Sequence, residues 1–398
     1  MGDAPGCLAT VRSESACTHK GDFGASSESK ASHNDGGAIM AERLLSPRQL
    51  SVRVPADLDL VRRVADARSR VRGVLAGTDP RLLVVVGPCS AHDSEAVLEY
   101  GRRLCALAAE PQVAAALVVV MRAYVEKPRT TVGWKGLASD PRLDGSCRMD
   151  EGIETSRRLL RDLVALGQPV AVEFLSPLVA PYVADLVAWG AVGARTTESQ
   201  VHREMASGLG LPIGFKNGTD GSVATALDAV RAAAEPHTFM GVDADGCIAA
   251  CRSAGNPDAH IVLRGSPGRP NYEASFVAAA VADAVARRMD PVPAIVIDCS
   301  HDNSAKDHRR QAHVVGAVAE QIRRGCRHVR GVMIESFLDA GRQNLPMVDG
   351  VPVSGRANVL ARLRSGVSVT DACLGWDETA VLLRDLAAAV AAARSMPV

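Results

Sequence analysis

Short apolar runs without polar–apolar alternation, separated by helix-patterned segments, restrict the fold of this chain more than any other feature. The runs are LLVVVG (82–87), LVVVMR (117–122), PVAVEFL (169–175), GAVGART (190–196), PIGFKNG (212–218), HTFMGV (237–242), HIVLRG (260–265), AIVIDCSH (294–301) and GVMIES (331–336). Strands rich in Val and Ile that do not alternate are covered on both faces, as in a parallel sheet. Between most of them lie helical stretches such as GIETSRRLLRDLVAL (152–166) and NYEASFVAAAVADAVARR (271–288). Alternating strands and helices make the fold class α/β.

Nine runs are one more than an eight-stranded barrel needs. HTFMGV is followed by DADG and then CIAAC, and Asp-Gly between apolar runs signals a hairpin. Residues 237–251 therefore read as an inserted β-hairpin, and the other eight runs as a (β/α)8 TIM barrel. An open doubly wound sheet competes, but no G-x-G-x-x-G follows the first strand. Residues 56–76, ADLDLVRRVADARSRVRGVLA, carry apolar residues at helical spacing and form a helix ahead of the first strand. The expected organisation is a disordered Gly/Ser-rich tail over 1–40, an N-terminal extension over 41–80, and the barrel over 81–398. Met40 is a candidate alternative start.

Composition narrows the function classes. Lys plus Arg equals Asp plus Glu, at 45 each, so no broad nucleic-acid footprint is expected, although a local cationic pocket is allowed. No apolar run approaches the roughly 18 residues of a membrane span. Ten cysteines are scattered without a C-x-x-C pair, which reads as reduced thiols in a cytoplasmic protein.

Barrel active sites lie at the carboxyl ends of the strands. The first strand ends toward Cys89, the second on Arg122 with Lys127 and Arg129 beyond, and the third on Glu173. The following tips carry Arg195, Lys216, Arg264, His301 and Glu335. Any one of the six cations reads as a solvated loop charge. Six at equivalent positions repel one another and become favourable when small anions fill the cleft. Arg suits phosphate and carboxylate, and Lys adds a point charge. Cys89, His301 and Glu335 read as transition-metal ligands. Two other readings stay open: Cys89 as a nucleophile with His92 as its base, and His301 as core packing.

GPCSAHD, MRAYVEKPRTTVGWKGL, GARTTESQVHRE, GFKNGTDG, IVLRG, DCSHDNSAK, MIESFL and SVTDACLGW follow one another here. Together, from about residue 42 to 392, they resemble the type I 3-deoxy-D-arabino-heptulosonate 7-phosphate (DAHP) synthases. The resemblance implies a (β/α)8 barrel with an N-terminal extension and two extra strands after the fifth. It implies condensation of phosphoenolpyruvate with erythrose 4-phosphate, the step that opens the shikimate pathway. It implies a divalent metal (Mn2+, Fe2+, Co2+ or Zn2+) on Cys89, His301, Glu335 and Asp371. Asp349 lies in the same long stretch as Asp371 but lacks the DACLGW context. Phosphoenolpyruvate is assigned to Arg122, Glu173, Arg195, Lys216 and Arg264, and erythrose 4-phosphate to Lys127, Pro128, Arg129 and Thr130. Lys127, Glu173 and His301 carry the catalytic assignments, and the family implies a homodimer or homotetramer.

Two rival chemistries remain. One is a sibling enzyme using another aldose phosphate. The other is a metal-free Schiff-base aldolase through Lys216. Cys299 is expected to point away from Ser300 as packing. The segment between Glu335 and Asp371, GRQNLPMVDGVPVSGRANVLARLRSG included, is longer than the family comparison leads one to expect.

Overall fold

The computed structural model describes residues 41–129, 131–348 and 351–394. The expected tail over 1–40, Thr130 and Asp349 lie outside the described residues. Eight parallel strands close a barrel in the order β1 (Leu82–Gly87), β2 (Leu117–Arg122), β3 (Val170–Glu173), β4 (Trp189–Val192), β5 (Ile213–Lys216), β8 (His260–Leu263), β9 (Ile295–Asp298) and β10 (Val329–Glu335), with β10 pairing back to β1. Two antiparallel strands, β6 (Thr238–Val242) and β7 (Ile248–Arg252), form the inserted hairpin. Its turn contains Gly246 at φ 81°, and the Asp243 carboxylate accepts the Asp245 and Cys247 amides. Asp-Gly thus acts as the sequence pattern requires.

The lack of alternation has a direct cause. Leu83, Val85, Val118, Val120, Ala171, Trp189, Ala191, Val262, Val296 and Met333 form one buried cluster inside the barrel. Their neighbours Leu82, Val84, Val86, Val119, Met121 and Val172 belong to a second cluster shared with the surrounding helices. Both faces are dry, so both parities are apolar. Six of the apolar runs extend beyond their strands, which stop at Glu173, Val192, Lys216, Leu263, Asp298 and Glu335. The residues beyond bend into rim loops held by side-chain hydrogen bonds, as when Asn217 Nδ2 donates to the Gly265 carbonyl at 3.1 Å.

The N-terminal segment makes two helices, α1 (Pro47–Arg53) and α2 (Leu58–Ala76). Ser46 and Gln49 close a reciprocal capping box on α1. Asp57 caps α2, and Gly77 ends it at φ 76°. Ala67, Val71 and Val74 of α2 join the interior cluster, so this helix seals the amino end of the barrel. Arg48 at the start of α1 pairs with Asp245 at 2.6 Å and donates its amide to Ala244, which seats α1 on the hairpin turn.

The outer helices are α3 (Ser94–Ala108), α4 (Pro111–Ala116), α5 (Met149–Ala165), α6 (Ala180–Val183), α7 (Gln200–Gly208), α8 (Val223–Ala234), α9 (Ala274–Ala286) and α10 (Gln311–Arg323). Between Glu335 and Asp371 the long stretch builds a small hairpin, β11 (Met347–Val348) with β12 (Val351–Pro352), and a short helix, α11 (Arg356–Leu360), before α12 (Trp376–Arg394).

Gly214 sits inside the barrel beneath Trp189. A Cβ there would meet Val262 Cγ2 at 2.6 Å and Trp189 Cζ2 at 2.7 Å. We expect Gly214→Val to cost about 1–3 kcal/mol by overpacking, read from the urea unfolding midpoint. An unchanged midpoint would show that this layer is not close-packed.

Candidate active site

The pleat that fills the barrel also builds its rim. Continuing the inward parity from Val120, Ala171, Gly214, Val296 and Met333 brings Arg122, Glu173, Lys216, Asp298 and Glu335 to the same face. Each is the last residue of its strand. On β4 the equivalent position is Gly193, where a Cβ would stand 2.6 Å from Glu173 Oε1. A side chain there would collide with that carboxylate.

The cations are not left to repel one another. Arg122 Nη2 donates to Glu335 Oε1 at 2.9 Å, and both side chains are fully buried. Its guanidinium also lies 4.1 Å above the centre of the Tyr124 ring. Lys216 Nζ donates to Glu173 Oε2 at 2.8 Å and stands 3.9 Å from Asp298 Oδ2. Arg264 pairs with Asp302 at 2.8 Å. Lys127 Nζ donates to Cys89 Sγ at 2.7 Å and to Asp371 Oδ2 at 3.3 Å. This corrects the sequence argument that only bound anions could make the cluster favourable. Carboxylates interleaved among the cations already offset their repulsion.

Cys89, Glu335 and Asp371 each turn a donor atom to one place, all within 4.8 Å of one another. Cys89 stands two residues beyond β1, Glu335 ends β10, and Asp371 lies in the loop before α12. Asp371 donates its amide to Cys89 Sγ at 3.3 Å. Glu335 is fixed from several sides. Ser300 Oγ donates to its Oε2 at 2.9 Å, and the Gln311 side-chain amide bonds both its carbonyl and its N–H.

His301 has φ 51°, the left-handed region that His tolerates better than most side chains. Its Nδ1 is 2.8 Å from Asp298 Oδ2, and its Nε2 is 4.0 Å from Glu335 Oε1. It therefore flanks the three-donor group without being within it. A carboxylate behind a histidine is the usual support for a metal-binding imidazole. A thiol, two carboxylates and a nearby imidazole suit a divalent transition metal, so this donor set fits such an ion.

The electrostatics follow from burial. Desolvation, reinforced by Glu335, pushes the Cys89 thiol up to about 12. Lys127 holds the Asp371 carboxyl well below the usual carboxylate range. Burial alone would depress Lys216, but Glu173, Tyr124 and Asp298 outweigh it and hold it above the ordinary lysine value. His92, the base in the nucleophile reading, is buried, and desolvation pushes it down to about 4. Its ring packs edge-on against Phe337 at 5.8 Å. Cys89 makes its contacts with Lys127 and Asp371 instead.

The expected residues, joined by Asp298, thus form a chain of contacts from Asp371 through Cys89 and Lys127, and from Arg122 through Glu335 and His301 to Asp298, Lys216 and Glu173. Arg129 lies apart from it, donating Nε to the Trp134 carbonyl at 2.8 Å, and Pro128 precedes it half-buried. Arg195 is exposed on the loop after β4. Cys299 is buried with its Sγ on the Ile297 carbonyl, as packing predicts. Asp298, Tyr124, Ser300 and Gln311 escaped the sequence reading. Strand parity alone would have found Asp298, which sits two residues from Val296.

Such a rim marks a barrel protein whose strand ends could take small anions beside a divalent ion. The chain belongs to the DAHP synthetase I family, whose model matches residues 54–384. It is 48% identical over 343 residues to the Tyr-sensitive phospho-2-dehydro-3-deoxyheptonate aldolase of Escherichia coli K12, covering 86% of this chain and 92% of that protein. It is 47% identical over 363 residues to the phospho-2-dehydro-3-deoxyheptonate aldolase of Corynebacterium glutamicum, covering 91% and 96%. The structure of that aldolase from Francisella tularensis superposes with a TM-score of 0.84 at 39% identity, covering 90% of this chain and all of the other.

Glu126, beside Lys127, is buried and accepts the Leu175 and Ser176 amides at 3.3 and 3.4 Å. Desolvation raises its carboxyl from 4.5 to about 7. The folded chain holds this proton more tightly than the unfolded one, so the stabilisation is full below pH 4.5 and is lost as pH rises through about 7. Relative to Glu126→Gln, the wild type should lose on the order of 3 kcal/mol across that window. Urea midpoints of both proteins against pH test this, and parallel curves would refute it.

Proposed function

We propose that this chain is a DAHP synthase that joins phosphoenolpyruvate to erythrose 4-phosphate and releases inorganic phosphate. The observation that carries the reading is that a metal-competent group, Cys89, Glu335 and Asp371, shares one barrel mouth with buried Arg122, Lys127 and Lys216. Cys89, His301, Glu335 and Asp371 would hold the divalent ion. When bound, that ion supplies Lewis acidity toward the aldehyde oxygen.

The chain's own groups do the rest. Lys216, Arg264, Arg195 and Arg122 bind the phosphate and carboxylate of phosphoenolpyruvate, and Lys127, Pro128, Arg129 and Thr130 receive the aldose phosphate. Holding two anions at reacting distance against their repulsion is the main contribution of these cations. C3 of phosphoenolpyruvate attacks the aldehyde carbon, and a proton reaches the new hydroxyl. In this reading Lys127 gives that proton, and its Nζ lying 2.7 Å from Cys89 Sγ, beside the donor group, supports the role. Positive charge then develops at C2, where water adds. Glu173, kept ionised by Lys216 despite its burial, takes the proton from that water. Phosphate departs by cleavage of the C2–O bond.

Lys216 argues against the Schiff-base alternative. Its amine is bonded to Glu173 at 2.8 Å and is held above the ordinary lysine value, so it stays an ammonium and a poor nucleophile. Assembly as a homodimer or homotetramer belongs to the same reading. Exposed Val52, Leu58, Met240 and Ile248, on α1, α2 and the inserted hairpin, support it. Cytoplasmic location is supported by the eight unpaired cysteines among the described residues.

The test is phosphate release from the two substrates together, with and without chelator. Chelation is expected to abolish turnover and added Mn2+ to restore it. Cys89→Ala is expected to lower kcat by at least about a thousandfold while melting within a few degrees of the wild type. Full turnover in chelator, or in Cys89→Ala, would overturn the metal assignment.

A further inference from the structure

The segment between Glu335 and Asp371 supplies a residue that none of the chemistry above uses. Arg356 opens α11, preceded by Gly355 at φ 83°. Its guanidinium turns inward. Nη1 donates to the Pro141 carbonyl, and Nη2 donates to the His92 carbonyl at 3.2 Å. These two acceptors belong to different loops. The loop containing His92 carries Cys89, and the loop containing Pro141 carries Lys127 and Arg129. The same two loops also meet where Lys127 Nζ donates to Cys89 Sγ at 2.7 Å and the Ala91 amide donates to the Tyr124 carbonyl at 2.9 Å.

Two further hydrogen bonds seat the segment on this pair of loops. Gly355 donates its amide to Asp144 Oδ2 at 2.8 Å, and Ser365 Oγ donates to Asp93 Oδ2 at 3.3 Å. Val359 is fully buried in the main core cluster, with Leu345, Val353, Leu360 and Leu363 packed against it. Asp93 is itself the N-cap of α3, so the segment grips the Cys89 loop where that loop is already anchored. Its far end delivers Asp371 to Cys89.

Both acceptors of Arg356 are main-chain carbonyls. Desolvation outweighs the favourable charges of Asp93, Glu151 and Glu95 and holds the guanidinium below the ordinary arginine value. A half-buried cation placed on two carbonyls is costly unless the bridge itself is useful, because carbonyl hydrogen bonds return only part of the lost hydration. Its planar fork can span two acceptors in fixed geometry, which an ammonium cannot do.

We propose that Arg356 is a positioning residue that locks the Cys89 loop to the Lys127 loop, setting the distance between the metal donors and the aldose phosphate site. The proposal rests on the functional reading above for what the two loops bind, but the bridge can be tested without turnover.

The experiment compares wild type, Arg356→Ala, Arg356→Lys and Arg362→Ala. Arg362 is exposed on the same segment and serves as the control. Three readouts are taken on full-length protein: amide hydrogen exchange over 88–93 and 139–145, Mn2+ affinity by titration, and separate KM values for the two substrates. Arg356→Ala is expected to speed exchange in both loops together and to weaken Mn2+ binding about tenfold. It is expected to raise KM for erythrose 4-phosphate about tenfold while KM for phosphoenolpyruvate moves less than about twofold.

Arg356→Lys, which keeps the charge and can satisfy one carbonyl at a time, should fall between Ala and wild type. It also decides the matter if Arg356→Ala does not fold. Arg362→Ala should match wild type. Unchanged exchange and Mn2+ affinity in Arg356→Ala, a Lys variant indistinguishable from wild type, or equal effects from Arg362→Ala would each overturn the proposal. A wild type that binds Mn2+ but does not condense the substrates would remove the functional reading instead. The exchange and Mn2+ results would still decide the role of Arg356.

Discussion

The ion pair between Arg122 and Glu335 is the contact on which the mouth of the barrel depends. Both side chains are fully buried, and the pair spans from β2 to β10 across β1. Desolvating two charges is expensive, and a buried pair of this kind is weak evidence for stability by itself. Its value here lies in what it holds. Glu335 is also a candidate metal donor, and Arg122 orients that carboxylate within the buried rim. Ser300 and Gln311 fill the remaining hydrogen-bonding capacity of Glu335. Removing either partner would strand a charge in the interior.

The rest of the rim repeats this arrangement. Glu173 faces Lys216, Asp302 faces Arg264, and Asp371 faces Lys127. A cleft holding only cations would resist folding and would bind any anion. Alternating charges let the protein fold before substrate arrives. They also impose a requirement on the ligand, since an incoming phosphate must compete with a carboxylate already in place. That favours multiply charged anions over single ones, in keeping with two phosphorylated substrates.

Much of this was legible in the residues. The eight barrel strands lie where Val- and Ile-rich runs predicted them, because closure of a parallel barrel buries both faces and leaves no alternation to obscure. The hairpin was legible because its turn needs a positive φ, which Gly246 supplies. The strand ends were less so. Phe174, Arg195 and Asn217 extend the apolar or rim pattern past residues where main-chain pairing has already stopped. Composition cannot reveal that, since the loops there are held by side-chain bonds between distant positions. Asp371 came only from the family motif. It belongs to no strand, and nothing in its local pattern marks it. Arg356 was invisible for a similar reason. One of four arginines in a stretch outside the barrel strands reads as a solvated charge until Pro141 and His92 are seen beside it.

The placement of Lys127 joins these observations. Its side chain touches both Cys89 and Asp371 and also stands in the segment assigned to the aldose phosphate. Its charge opposes the rise that burial imposes on the Cys89 thiol, though burial and Glu335 prevail. Cys89 Sγ in turn faces Asp371 Oδ2 at 3.5 Å, so Lys127, Cys89 and Asp371 form one three-way contact. Lys127 thereby ties the donor group to the segment assigned to the aldose phosphate, and a shift of either loop would be felt at the other.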